Sequence, residues 1–137
     1  MKDFYKWSTF DKDIKKLSAE LSAKPEWTFE NIYGIPRGGL VVAVCLSHQM
    51  NLPVLLEKEK ITEKTLIVDD IVDTGETIAK LLLDIKDFKK MVVASLYYHP
   101  DAKFKPDVYA RLKRNWVVFP FESEASSKYD RTFNNPV

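Results

Sequence analysis

Apolar positions fall along the chain in two alternating patterns, helical spacing and short continuous runs. Phe10, Ile14, Leu17 and Leu21 stand at helical spacing, with Asp11 and Asp13 where the positive end of a helix favours acids, so an opening amphipathic helix is predicted. Asn31-Ile-Tyr-Gly-Ile35 predicts a short strand, and the mostly apolar segment Gly38–Met50 behind it predicts a buried helix. Pro53-Val-Leu-Leu56 and Thr65-Leu-Ile-Val68 are too short for helices and suit strands covered on both faces. Ile78, Leu81, Leu82 and Ile85 then return to helical spacing, and Met91–Tyr97 reads as another strand. The alternation predicts an α/β fold, a single-domain parallel β-sheet flanked by helices. Its crossovers should be right-handed and its ligand site should lie beyond the carboxyl ends of the strands.

Length and composition narrow the reading. The 137 residues suit one domain, 1–137, and the 45% hydrophobic content can fill one core. There is no repeat or low-complexity tract, and the seven prolines mark element boundaries. Twenty-one basic residues against 20 acidic ones leave a net charge of +1, which argues against a nucleic-acid or anionic-membrane surface and favours small-molecule partners. Cys45, the single cysteine, sits in an apolar run, which excludes an internal disulfide and makes it a poor candidate nucleophile. No apolar stretch approaches the ~18 residues of a membrane span. The start MKDFYKWSTF has no apolar signal-like run, so a cytoplasmic setting is expected.

The four glycines all fall in the two strand-to-helix turns: Gly34, Gly38 and Gly39 in one, Gly75 in the other. Residues that let a backbone approach a ligand, gathered at one sheet edge, suggest anion-binding turns. In the second turn, Thr65 to Thr77 (TLIVDDIVDTGET), a strand delivers Asp69 and Asp70 to its end, a loop carries Asp73 and Thr74, and Gly75 to Thr77 open a helix. Helix N-terminal amides with the Thr74 and Thr77 hydroxyls can hold a phosphate. Asp69 and Asp70 would repel that phosphate but suit ribose hydroxyls or Mg²⁺. Reading Asp73 as a helix cap and the other two as solvated loop acids explains one acid well and three poorly. Asp73-Thr74-Gly75 also matches the turn of aspartic proteases, but it occurs once and runs into the helical pattern ETIAKLLLDI rather than into strands.

VDDIVDTGET resembles the phosphoribosyl pyrophosphate (PRPP) motif of the type I phosphoribosyltransferases. Ile35-Pro-Arg-Gly-Gly-Leu40 resembles the pyrophosphate-binding loop of their purine branch, which includes xanthine-guanine phosphoribosyltransferases. Asn115-Trp-Val-Val-Phe-Pro-Phe-Glu122 resembles the segment in which that branch stacks an aromatic ring on the purine. The likeness runs from about Trp7 to Glu122, and the first motif is the most specific of the three. It implies that Asp73, Thr74, Gly75, Glu76 and Thr77 surround a 5′-phosphate, that Asp69 and Asp70 face the ribose, and that Asp70 reaches Mg²⁺. It further implies that Arg37, Gly38 and Gly39 bind pyrophosphate and that Asp73 exchanges a proton with the base. Trp116 would stack on the base, with the Val117 backbone at its edge, although Trp116 taken alone reads better as a core residue. The activity so implied is transfer of a phosphoribosyl group from PRPP to a purine base, releasing pyrophosphate, in a homo-oligomer.

The chain departs from that pattern in three places. His99 stands where relatives acting on 6-oxopurines usually carry lysine; it is either a base contact able to donate or accept, or a loop histidine with no ligand. Between Leu56 and Thr65 only eight residues replace the long mobile lid of relatives, and Lys58 and Lys60 are either partial substitutes or solvated charges. That shortening motivates an alternative, a PRPP- or nucleotide-binding regulatory protein with little turnover. Glu76 adds a carboxylate beside the phosphate loop, tolerable if its side chain turns away. Phe121, Phe133 and Asn134-Asn-Pro-Val137 could pack on a neighbour or fray.

Overall fold

Each apolar run of the central strands is covered from both sides, which is why it carries no polar alternation. The computed structural model describes residues 1–85 and 91–123. In chain order its elements are β1 (Lys2–Phe4), α1 (Trp7–Ser22), β2 (Asn31–Gly34), α2 (Gly38–Met50), β3 (Val54–Leu55), β4 (Thr65–Val72), α3 (Glu76–Asp84), β5 (Val93–Tyr98), β6 (Val108–Leu112) and β7 (Trp116–Val118). A 3₁₀ turn, Lys58–Lys60, lies between β3 and β4. Five strands pair in the order β3-β2-β4-β5-β6, all parallel, and β1 pairs with β7 in a separate parallel ribbon. Ile32, Leu66, Val68, Ala94 and Leu96 meet Phe10, Ile14, Leu17 and Leu21 of α1 and Val42, Ala43 and Leu46 of α2. On the other face Tyr33, Ile67 and Val93 meet Ile78 and Leu81 of α3. No helix among the described residues is long and apolar enough to cross a membrane.

The predicted α2 is observed with its predicted ends, and β2, β3 and β5 are each shifted or shortened by one or two residues. Two differences are larger. The first helix starts at Trp7, so its first turn holds no acid and Asp11 and Asp13 lie beyond it. Strand β4 runs four residues past Val68, through the acidic pair, because those acids replace lost backbone partners. The β4–β5 register pairs Asp69 with Ser95 and Ile71 with Tyr97, passing over Asp70 and Leu96. There Asp69 Oδ1 accepts the Asp70 amide and Asp70 Oδ1 the Ile71 amide, both at 2.9 Å. Across the interruption the alternation resets: Val68 and Ile71 pack on the α1/α2 side and Val72 on the α3 side.

β1, β6 and β7 carry no local signal strong enough to predict them; β1 and β7 are three-residue strands that pair across most of the chain, Lys2 opposite Trp116. A buried polar cluster ties this end together. Tyr5 Oη donates to Asp13 Oδ2 at 2.5 Å, and Arg111 Nε of β6 donates to the same oxygen at 2.7 Å. Phe121 packs within the chain, 5.3 Å from the Phe119 ring and 6.4 Å from Phe10, while Phe133 and Asn134 to Val137 lie outside the described residues.

Burial, with the hydrogen bond to Asp13, pushes the Tyr5 phenol well above its ordinary value of 10.0, and burial also raises Tyr33 and Tyr97. Below pH 10.0 folded and unfolded chains alike keep the Tyr5 proton; above it only the unfolded chain ionises, so stability falls as pH rises. Urea midpoints measured between about pH 9 and 11.5 should therefore decline, and less steeply in Tyr5→Phe. An unchanged slope in that variant would remove Tyr5 from the account.

Candidate functional site

β2 and β4 lie side by side, Gly34 opposite Val68, and the Ile35 amide donates to Val68 O at 3.0 Å. The turn after one strand therefore meets the turn after the other. Together they form a cleft of about 470 Å³ walled by Pro36, Arg37 and Gly38, by residues 69–78 with Lys80, and by Lys113, Trp116, Val117, Phe119 and Glu122. The peptide between Pro36 and Arg37 is cis.

Of the residues singled out from the sequence, Arg37, Gly38, Asp69, Asp70, Asp73, Thr74, Gly75, Glu76, Thr77, Trp116 and Val117 all line this cleft. Gly39 does not: it is buried under the sheet, where a Cβ would stand 2.9 Å from Val68 O, so its part is to let α2 approach β4. His99 does not line the cleft either. Its amide donates to Val72 O and its Nδ1 accepts the Asp101 amide at 3.0 Å, which makes it a turn residue at the end of β5.

Asp70 lies against the Arg37 turn so closely that a Cβ on Gly38 would fall 2.0 Å from Asp70 Oδ2. Asp69 is buried, at 8% exposure, so the pair is not a set of solvated loop acids. Past the strand end the chain turns at Gly75, whose φ of +85° is one that side chains with a Cβ rarely adopt. The Thr74 hydroxyl accepts the Glu76 amide at 3.2 Å, and the carbonyl of Thr74 accepts the Lys103 amide at 2.8 Å. Gly75, not Asp73, caps α3. The Glu76 carboxylate turns to Lys103, 3.4 Å away and exposed, which leaves the first turn of α3 to present its amides.

Asp73 instead points to a residue the sequence reading missed. Lys113, in the link from β6 to β7, places Nζ 2.9 Å from Asp73 Oδ2 and 5.5 Å from the Trp116 ring centroid. No periodicity marks it, since β6 itself left no recognisable pattern. Trp116 is 58% exposed, which excludes the core reading and presents a flat aromatic face. Lys58 and Lys60 do not line the cleft. Lys58 is held by Asp84 at 3.1 Å and Lys60 by Glu57 at 3.5 Å. Cys45 also lies elsewhere, and burial pushes its thiol up, as befits an unreactive position. The cleft thus offers an arginine turn, a helix N-terminus with hydroxyls, a pair of carboxylates and an open indole, which fits an anionic sugar joined to a planar ring.

No family model matches the chain. A xanthine-guanine phosphoribosyltransferase of Gluconobacter oxydans is 29% identical over 142 residues, covering 85% of this chain and 82% of that one. The crystal structure of a purine phosphoribosyltransferase from Pyrococcus horikoshii superposes with a TM-score of 0.77 at 30% identity, over 89% of this chain and 95% of that one. A Helicobacter pylori xanthine-guanine-hypoxanthine phosphoribosyltransferase gives the same TM-score at 23% identity, over 95% of this chain and 99% of that one, and shares the fold.

The turns differ in how they would tolerate a methyl group. At Gly75 the positive φ is strained for alanine, by about 1–3 kcal/mol, and the new Cβ would meet the Phe104 backbone nitrogen at 2.6 Å. At Gly38 it would meet the Asp70 side chain, Oδ2 at 2.0 Å and Cγ at 2.5 Å, which must swing aside at the expense of its hydrogen bond to the Ile71 amide, ~1 kcal/mol. Thermal denaturation should therefore rank Gly75→Ala below Gly38→Ala; the reverse order would show that residues 73–77 yield more readily than this geometry allows.

Proposed function

The chain belongs to the purine branch of the type I phosphoribosyltransferases, and on that premise we propose that it transfers the 5-phosphoribosyl group of PRPP to a purine base in nucleotide salvage. The observation that carries the reading is the single cleft shared by Arg37 and Thr77, with Asp69 and Asp70 in the same wall and the exposed Trp116 beside them. In this reading the 73–77 turn holds the 5′-phosphate through its amides and the Thr74 and Thr77 hydroxyls. Asp69 and Asp70 accept from the ribose hydroxyls. Arg37 and the Gly38 amide hold the pyrophosphate and receive its growing negative charge. A ring nitrogen of the purine forms a bond to C1 while the C1–O bond breaks and pyrophosphate leaves with the electron pair. The proton shed by the base passes to Asp73 Oδ1 or Oδ2. The product is a nucleoside monophosphate inverted at C1.

Mg²⁺ belongs to the same proposal. No cluster of three candidate metal-ligating side chains occurs among the described residues, which suits an ion that keeps water and substrate oxygens and takes one or two carboxylates from protein. Asp70 would hold it, beside Asp69, and it would neutralise diphosphate charge. A cytoplasmic homo-oligomer completes the proposal. The short β3–β4 link, with Lys58 tied to Asp84 rather than to the cleft, favours a second reading in which PRPP binds with little turnover.

Incubation with PRPP, Mg²⁺ and hypoxanthine, guanine, xanthine or adenine should release pyrophosphate with at least one base. PRPP binding without release from any of them would select the binding-protein reading, and no PRPP binding would overturn both. Asp73→Asn should lower kcat by about 10²–10⁴-fold with PRPP affinity largely kept. Arg37→Ala should instead weaken pyrophosphate binding by about 10–150-fold, the worth of a charged hydrogen bond. Parallel losses in the two variants would contradict the division of roles.

A further inference from the structure

Lys113, in the link from β6 to β7, and Trp116, the first residue of β7, are close neighbours in the chain, and the lysine side chain lies along the indole. Its Nζ stands 5.5 Å from the ring centroid and 2.9 Å from Asp73 Oδ2. All three residues line the cleft, so the indole face that the ammonium covers is the one turned toward the β4–α3 turn. The lysine side chain is 15% exposed, unusual for a residue seldom buried without a partner. Its backbone amide donates to Tyr98 O at 2.8 Å, which ties the backbone to the end of β5 and leaves any change of position to the side-chain torsions.

We propose that Lys113 is an internal occupant of the base site: in the empty protein its ammonium holds the Trp116 face and the Asp73 carboxylate, and a planar base enters only by displacing it. This deepens the transfer reading above and rests on it. A ring stacked on the indole has its centroid about 4.5–7 Å from the indole centroid. Lys113 Nζ stands inside that shell on the cleft side, so ammonium and base compete for one space. The competition is electrostatic as well as steric, because the ammonium is attracted both by the electron-rich ring face and by the carboxylate. One nitrogen makes both contacts. A displacement that clears the ring therefore moves the atom that also holds Asp73, and the arriving base uncovers its own stacking surface while loosening the carboxylate assigned to take its proton. The device is blind to the substituents of the ring: it opposes any planar base on that face and does not oppose a ligand that has no ring.

The test is calorimetric binding of inosine monophosphate, adenosine monophosphate and ribose 5-phosphate to the full chain, as wild type, Lys113→Ala and Lys113→Arg. The quantity read is the affinity for each nucleotide divided by that for ribose 5-phosphate, which cancels whatever the lost charge does to the phosphate. In Lys113→Ala this ratio should rise by about 2- to 30-fold, the worth of a cation–π contact, and by the same factor for both nucleotides. Lys113→Arg, which keeps a cation able to lie on the indole, should stay near the wild-type ratio. An unchanged ratio in Lys113→Ala would show that the ion pair serves the fold alone, and a lower ratio would show that the lysine contacts the bound base; either overturns the inference and leaves the transfer reading intact. Failure of wild type and variants alike to bind any of the three ligands would remove the transfer reading and this inference with it.

Discussion

The parallel pairing of β2 with β4 is the constraint on which the rest depends. Because Gly34 lies opposite Val68 and both strands run the same way, both chains leave the sheet at one edge, and residues 35–39 and 69–77 have to share that edge. An antiparallel partner would have sent one turn to the far end. The contact of the Asp70 carboxylate with Gly38 is the tightest expression of this: two segments separated by more than thirty residues approach to within the space of one missing methyl group. Any reaction that needs both ends of a charged substrate held at once can use such an edge.

The acidic pair serves the fold and the cleft together. Where the β4–β5 ladder passes over Asp70, carboxylate oxygens take the amides of Asp70 and Ile71, so buried donors remain satisfied. That local bonding also orients the acids. With Oδ1 on the Ile71 amide, Asp70 places Oδ2 beside the Arg37 turn. The interruption of regular strand is therefore the device that turns two strand positions into a presented pair, at the cost of the alternation of β4 itself.

Electrostatic balance in the cleft is achieved by pairing across elements. Asp73 of the β4–α3 turn is matched by Lys113 of the β6–β7 link, and Glu76 by Lys103 from the β5–β6 link, so the carboxylates nearest the helix N-terminus do not face it unaccompanied. The β3–β4 link contributes nothing to this. Its Lys58 is drawn to Asp84 at the far end of α3, on the surface, and among the described residues the wall facing the two turns is supplied by Lys113, β7 and the residues after it.

What the sequence determined by itself was whatever is encoded by near neighbours. Short continuous apolar runs specified β2 and β4, a longer apolar run α2 and period-3.6 spacing α3, and the crowding of glycine and hydroxyl residues after two strands specified two ligand turns, down to most of the side chains that line the cleft. What only tertiary structure decided was everything joining residues far apart. β1 and β7 are each three residues long and are strands only because they find each other. Asp13 looked like a helix-end acid and became the buried partner of Tyr5 and Arg111. Gly39 and His99 fell outside the cleft and Lys113 inside it, because lining a cleft depends on the direction a side chain leaves a packed backbone. That direction is set by burial on both faces of the sheet, which no stretch of a few residues can encode.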